Sequence, residues 1–201
     1  HRLQPTPIND GETEEQASVL RQLLQWSVAG KPGIALIDAD RGRGKSSCLG
    51  LLVKRLQPRL GVLVTANSRQ SASALLQQAP DAEFVAPDQL LLDCPEADLL
   101  IVDEAAMIPL SMLRQLTRLY SRLVMATTSG GYEGTGRGFM LRFVADLQRF
   151  KLLHFRLEKP VRWCQGDRLE AWLSHCLMLK PESEPLVAAD IPVNDCRLEI
   201  L

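Results

Sequence analysis

Between the apolar run Gly33-Ile-Ala-Leu-Ile-Asp38 and a helix expected from Lys45 to Leu56 stands Ala39-Asp-Arg-Gly-Arg-Gly-Lys-Ser46. This is the spacing of a phosphate-binding loop, with Ala39 where the first glycine usually stands. Gly42 and Gly44 let the backbone turn its N–H groups onto phosphate oxygens, and the helix N-terminus behind them adds a favourable dipole. Lys45 supplies a point charge to the β- and γ-phosphates, and the Ser46 hydroxyl is placed to ligate Mg²⁺. A strand, a glycine turn and a helix in that order constrain the chain to an α/β architecture with a nucleotide site at a strand end.

The remaining pattern agrees. A helix precedes the first strand, with Ala17, Leu20, Leu24 and Val28 at helical spacing and Thr13 and Gln16 forming a capping box. Further strands are expected at 61–66, 98–104, 122–128 and 152–158, with a short one at 82–86. Helices are expected at 69–78, from Pro109, at about 139–149 and at 166–179. Such alternation predicts a mostly parallel sheet with helices on both faces, ligands lying at the carboxyl ends of the strands. Residues 1–179 read as this one domain. Residues 180–201 lose periodicity and turn acidic, and are expected to be a linker toward a following domain.

Composition removes several classes. With 46% hydrophobic residues in 201, the chain can build a core, and 23 Lys+Arg against 24 Asp+Glu leave no global basic field. No apolar run approaches the roughly 20 residues that span a bilayer. The five cysteines are widely spaced with no CxxC pair, so a reducing, cytoplasmic setting is expected rather than a disulfide framework or a zinc site. The three histidines are scattered without ligand spacing. The chain starts at His1 and reads as a piece of something longer.

A second motif lies 58 residues beyond Lys45, where Leu99-Leu-Ile-Val ends in Asp103-Glu104. Asp103 fits the carboxylate on Mg²⁺, and Glu104 fits a base that orients or deprotonates water. A third follows the next strand: Thr127-Thr128-Ser129 leads into Gly130-Gly-Tyr-Glu-Gly-Thr-Gly-Arg-Gly138. Its hydroxyls can sense the γ-phosphate or position water, and Arg137 can reach phosphate or RNA. Between Arg137 and Arg168 eight Lys/Arg face three acids, a stretch that is either a polyanion-binding stripe or a solvated surface. Tyr132 and Trp163 can stack on bases, while Trp26 and Trp172, at helical positions, are expected in the core.

Together, Gly42-Arg-Gly-Lys-Ser46, Asp103-Glu-Ala-Ala106 with Ile108-Pro109, and Gly131-Tyr-Glu-Gly-Thr-Gly-Arg137 resemble the ATPase module of the tRNA(Met) cytidine acetyltransferase family. Val161-Arg-Trp163, Gly166-Asp167 and Glu170-Ala-Trp-Leu173 resemble its closing segment, and the likeness runs from about Gln16 to Leu179. The resemblance implies a P-loop NTPase of RecA-like, helicase-related fold, working with ATP and Mg²⁺ beside a Gcn5-related (GNAT) acetyltransferase domain in the same protein. That protein would acetylate N4 of the wobble cytidine of elongator tRNA(Met) with acetyl-CoA. It also implies a nucleotide site made of Gln16, Arg162 and the loop Asp38, Ala39, Asp40, Arg41, Gly42, Arg43, Gly44, Lys45, Ser46 and Ser47. Gln16 remains equally the capping partner of Thr13. Lys45, Asp103, Glu104 and Arg137 are the catalytic candidates, with Ser46 and Asp103 for the metal.

The acetyl-CoA loop Q/R-x-x-G-x-G/A has no separate counterpart here, since its near match Arg41-Gly-Arg-Gly-Lys-Ser46 is the P-loop. Acetyl transfer is therefore expected outside this chain. Two other readings stand beside this one: a lobe of a free-standing RNA helicase or translocase, and a nucleotide-switched RNA-binding module.

Overall fold

The computed structural model describes residues 12–128 and 152–161, together with Phe143, Trp172 and Cys176. Apart from those three residues, the expected helices at 139–149 and 166–179 lie outside the described residues, as do the Gly130–Gly138 loop and the acidic linker at 180–201.

The described elements alternate: α1 (Glu14–Val28), β1 (Gly33–Ala39), α2 (Lys45–Leu56), β2 (Val62–Thr65), α3 (Ser73–Gln78), β3 (Glu83–Phe84), α4 (Pro87–Asp93), β4 (Leu99–Val102), a 3₁₀ turn (Ala105–Met107), α5 (Leu110–Leu119), β5 (Arg122–Thr127) and β6 (Leu152–Leu157). The strands form one sheet in the order β3-β2-β4-β5-β1-β6, and every pair in it is parallel. Parallel strands require crossovers between them, which places α2, α3, α4 and α5 over the sheet faces, while α1 precedes the first strand. None of the described helices is long and apolar enough to cross a membrane.

Strand β1 is buried along its whole length, as a strand covered on both faces must be. Its side chains alternate between two cores. Ala35, Ile37 and Ala39 pack with Leu20 and Leu23 of α1, Leu49, Leu52 and Leu56 of α2, and Leu75 of α3. Ile34 and Leu36 pack on the other face with Leu90 of α4 and with Leu113 and Leu116 of α5. Truncating a fully buried leucine such as Leu52 to alanine costs roughly 2–5 kcal/mol.

Three expectations change. The buried face of α1 runs through Gln16, Val19, Leu20, Leu23 and Ser27, with Leu24 half-buried against the same cluster, while Val28 is 55% exposed. Trp172 is exposed rather than core, whereas Trp26 packs on the first cluster. Helix α4, not expected from the sequence, is a short segment opened by Pro87 at its first position and closed by Cys94 in a left-handed conformation.

Candidate nucleotide site at the strand ends

In a parallel sheet all strands end on one edge, so Ala39, Thr65, Asp103 and Thr127 gather there without being near in sequence. Asp38 is paired in register with Thr127 on one side and with Arg156 on the other. It is buried, and one of its oxygens lies 4.0 Å from an Arg156 nitrogen.

The loop after β1 runs through Asp40, Arg41, Gly42 and Arg43 to Gly44, which caps α2 in the left-handed region at φ +78°. Having no side chain, Gly44 makes no side-chain cap at the first turn of α2, a helix start of the kind that suits an anion. A methyl group at Gly44 would lie 2.3 Å from Gln16 Nε2 and 3.0 Å from Val161 Cγ2. Two contacts from elsewhere in the chain hold the loop's outer side. Gln16 Nε2 donates to the Gly44 carbonyl at 3.0 Å, and the Val161 amide donates to the Gly42 carbonyl at 2.9 Å. The Gln16 carbonyl oxygen meanwhile accepts from the Thr13 amide at 2.9 Å, completing the capping box. Capping and loop contact are thus one arrangement, each using a different end of the same amide.

Lys45 opens α2 and is 5% exposed. Its ammonium donates to the carbonyls of Ala39 at 3.3 Å and Asp40 at 3.4 Å, and lies 3.6 Å from Glu104 Oε1. A buried cation needs such partners, and these three match the three donors of an ammonium.

Strand β4 is fully buried and delivers Asp103 to the same place with no exposed surface. Asp103 Oδ1 accepts from the Glu104 amide at 3.0 Å; among the described residues Oδ2 has no hydrogen-bond partner. Burial pushes the Asp103 carboxyl from 3.8 up to about 6, against the pull of the Ser46 hydroxyl, with the Glu104 charge adding to the rise. A buried carboxylate oxygen without a donor, beside a serine hydroxyl, fits a divalent cation that takes its remaining ligands from phosphate and water. Glu104 follows in the left-handed region at φ +46°, an uncommon conformation for a residue with a side chain. Its second oxygen, Oε2, accepts from Thr128 Oγ1 at 3.0 Å.

The structure therefore brings together Gln16, Asp38, the Ala39–Ser47 loop, Asp103 and Glu104. Arg137 and Arg162 lie outside the described residues, as do Tyr132 and Trp163; Val161, which precedes Arg162 in sequence, is the residue tied to Gly42. Sequence reasoning missed Glu15, whose carboxylate accepts from the amides of Glu158 and Lys159 at 3.0–3.1 Å and so fastens α1 to the segment bearing Val161. No local pattern announces a contact spanning 143 residues.

The fold has solved counterparts. The structure superposes on Pif1 helicase from Candida albicans with a TM-score of 0.54 at 16% identity, covering 86% of this chain and 44% of that one. Bacteroides Pif1 in complex with ADP-AlF3 and ssDNA gives 0.54 at 15% identity, covering 81% and 45%. At that identity the likeness is one of fold, a RecA-like P-loop domain. Among curated relatives, the tRNA(Met) cytidine acetyltransferase TmcA of Citrobacter koseri is 44% identical over 178 residues, which is 88% of this chain and 25% of the relative. Those of Pectobacterium atrosepticum and Haemophilus influenzae are 41% and 35% identical over 94% and 90% of this chain. The chain spans about a quarter of the length of these relatives. The family model described as RNA cytidine acetyltransferase NAT10/TcmA, helicase domain, matches residues 36–82 and 77–180. By its P-loop sheet and by this match over most of its length, the chain belongs to the helicase-domain family of the NAT10/TcmA RNA cytidine acetyltransferases.

Proposed function

We propose that the chain binds ATP with Mg²⁺ and hydrolyses it, as the ATPase module of a longer tRNA(Met) cytidine acetyltransferase. The observation that carries the reading is the convergence of Lys45, Glu104 and an Asp103 Oδ2 without a hydrogen-bond partner among the described residues, beside a helix N-terminus with no side-chain cap. A cation, a carboxylate base and a metal-binding carboxylate at one anion site are the parts phosphoryl transfer requires.

Loop amides from Ala39 to Ser47 and the Lys45 ammonium would hold the β- and γ-phosphates, with Lys45 turning from the Ala39 and Asp40 carbonyls to do so. Ser46 and Asp103 would hold Mg²⁺, which when bound neutralises charge on the phosphates. Glu104 would orient a water and take its proton as the oxygen bonds to the γ-phosphorus and the bond to ADP breaks. Gln16, Asp38 and Arg162 complete the nucleotide site in this reading, and Arg137 stabilises charge developing on the γ-phosphate. The relatives' name supports tRNA(Met) as the RNA partner and cytidine acetylation as the wider context; the motif resemblance adds acetyl transfer from acetyl-CoA by a GNAT domain elsewhere in the protein, in the cytoplasm.

The test compares Lys45→Ala and Glu104→Gln in the intact protein. Loss of the Lys45 contact should weaken ATP binding by about 1.5–3 kcal/mol, one to two decades in affinity. Glu104→Gln keeps shape and should bind ATP normally while hydrolysis slows at least about a hundredfold. Unchanged affinity in the first variant or unchanged turnover in the second overturns the assignment.

A further inference from the structure

Before any phosphate arrives, Glu104 is held on both sides. Oε1 faces Lys45 at 3.6 Å, and Oε2 accepts the Thr128 hydroxyl at 3.0 Å. These contacts have different anchors. Lys45 reaches through a long, rotatable chain and divides its donors between Glu104 and two loop carbonyls, so an incoming polyphosphate competes directly for it. Thr128 has a short side chain, is 8% exposed, and directly follows β5. That strand is paired with β4 through Val102 and Met125, two residues short of Glu104. The Thr128–Glu104 contact is therefore built into adjacent strand ends and does not depend on an empty nucleotide site. The left-handed backbone at Glu104 and its amide bond to Asp103 Oδ1 fix where the side chain leaves the main chain.

We infer that Thr128 is the positioning residue for Glu104: it holds Oε2 so that Oε1 stays directed at the P-loop lysine and, once that lysine turns to phosphate, at the attacking water. The inference rests on the ATPase reading and adds to it a residue that acts through the base. Thr128 is not the hydroxyl free to sense phosphate, because its proton already goes to Glu104. The adjacent Thr127 Oγ1 is, with Thr65 Oγ1 at the same sheet edge, a buried hydroxyl without a hydrogen-bond partner among the described residues. Without the Thr128 contact, rotation about the glutamate side-chain bonds would spread the carboxylate over positions from which it cannot reach the water, and small misplacements of a catalytic group are costly in rate.

The experiment measures ATP affinity and turnover in the intact protein for Thr128→Val, Thr128→Ser and Glu104→Gln, and for Thr128→Val combined with Glu104→Gln by single-turnover hydrolysis. Valine keeps the shape without the donor and should lower kcat at least about tenfold with ATP affinity within about twofold of wild type. Serine restores the hydroxyl and should recover most of the lost rate. In the Glu104→Gln background Thr128→Val should cost nothing further, because its effect runs through the carboxylate. Wild-type turnover in Thr128→Val, a loss confined to affinity, no recovery by serine, or additive losses in the double variant each overturn the inference. The underlying ATPase reading fails separately, if Glu104→Gln alone turns over at the wild-type rate.

Discussion

The Gln16 side chain donates to the Gly44 carbonyl at 3.0 Å, joining the first turn of α1 to the residue that caps α2. Because the other end of the same amide accepts from Thr13, the stability of α1 and the shape of the phosphate loop share one residue.

Two variants separate those roles. Thr13→Ala removes the hydroxyl that accepts from the Gln16 amide at 3.1 Å and should cost about 1 kcal/mol of stability, leaving the Gly44 contact in place. Gln16→Ala removes both halves and leaves the Gly44 carbonyl without this donor. Both should lower the melting temperature in thermal unfolding, but only Gln16→Ala should also weaken nucleotide affinity in calorimetry. Equal affinities in the two variants would show that Gln16 serves α1 alone.

A second prediction concerns pH. Burial raises the Asp103 carboxyl to about 6 from 3.8, so the folded state holds that proton more tightly than the unfolded chain. Stability from this group therefore falls as pH rises from about 4 to about 6, and the full cost of the buried charge, on the order of 3 kcal/mol, is present above that window. Asp103→Asn, neutral and of the same shape, should melt above wild type at pH 7.5 in metal-free buffer, with the gap closing toward pH 4. The same variant should lose the Mg²⁺ dependence of nucleotide binding. A wild-type melting temperature across the whole range would mean that Asp103 carries no such cost.

What the sequence disclosed follows from the range of the interactions. Helix α2 was legible to its ends, Lys45 and Leu56, because the glycine turn and the apolar spacing are both local. The apolar run 98–104 showed the strand but overran it: β4 stops at Val102, and Asp103 and Glu104 are already outside the ladder. The 3₁₀ turn at Ala105–Met107 was hidden by the expectation of a helix opening near Pro109. Lys45, Asp103 and Glu104 were legible as parts because each sits in a short pattern. The contacts that arrange them were not. Thr128 to Glu104, Val161 to Gly42, and Glu15 to Glu158 and Lys159 are polar contacts between distant segments. Their existence depends on the strand order β4-β5-β1-β6, which sets β5 beside β4 and places β6 beside β1 although Ala39 and its register partner Leu157 are 118 residues apart (157 − 39).

The third prediction uses two glycines with similar backbone and different surroundings. Gly30 and Gly44 have φ of +67° and +78°, so alanine at either position meets a comparable backbone penalty of about 1–2 kcal/mol. At Gly30 an added methyl meets nothing within 4 Å, and that penalty should be the whole effect. At Gly44 it would lie 2.3 Å from Gln16 Nε2 and 3.0 Å from Val161 Cγ2. The side chain that must yield first is the one donating to the Gly44 carbonyl, so the clash pushes apart α1, the loop and the segment after β6. Gly44→Ala should therefore destabilise more than Gly30→Ala in urea unfolding and, unlike it, reduce nucleotide affinity by at least about tenfold. Equal losses of stability with affinity intact in both would mean that the loop tolerates displacement of Gln16 and Val161, and that their contacts with Gly44 and Gly42 are incidental to nucleotide binding.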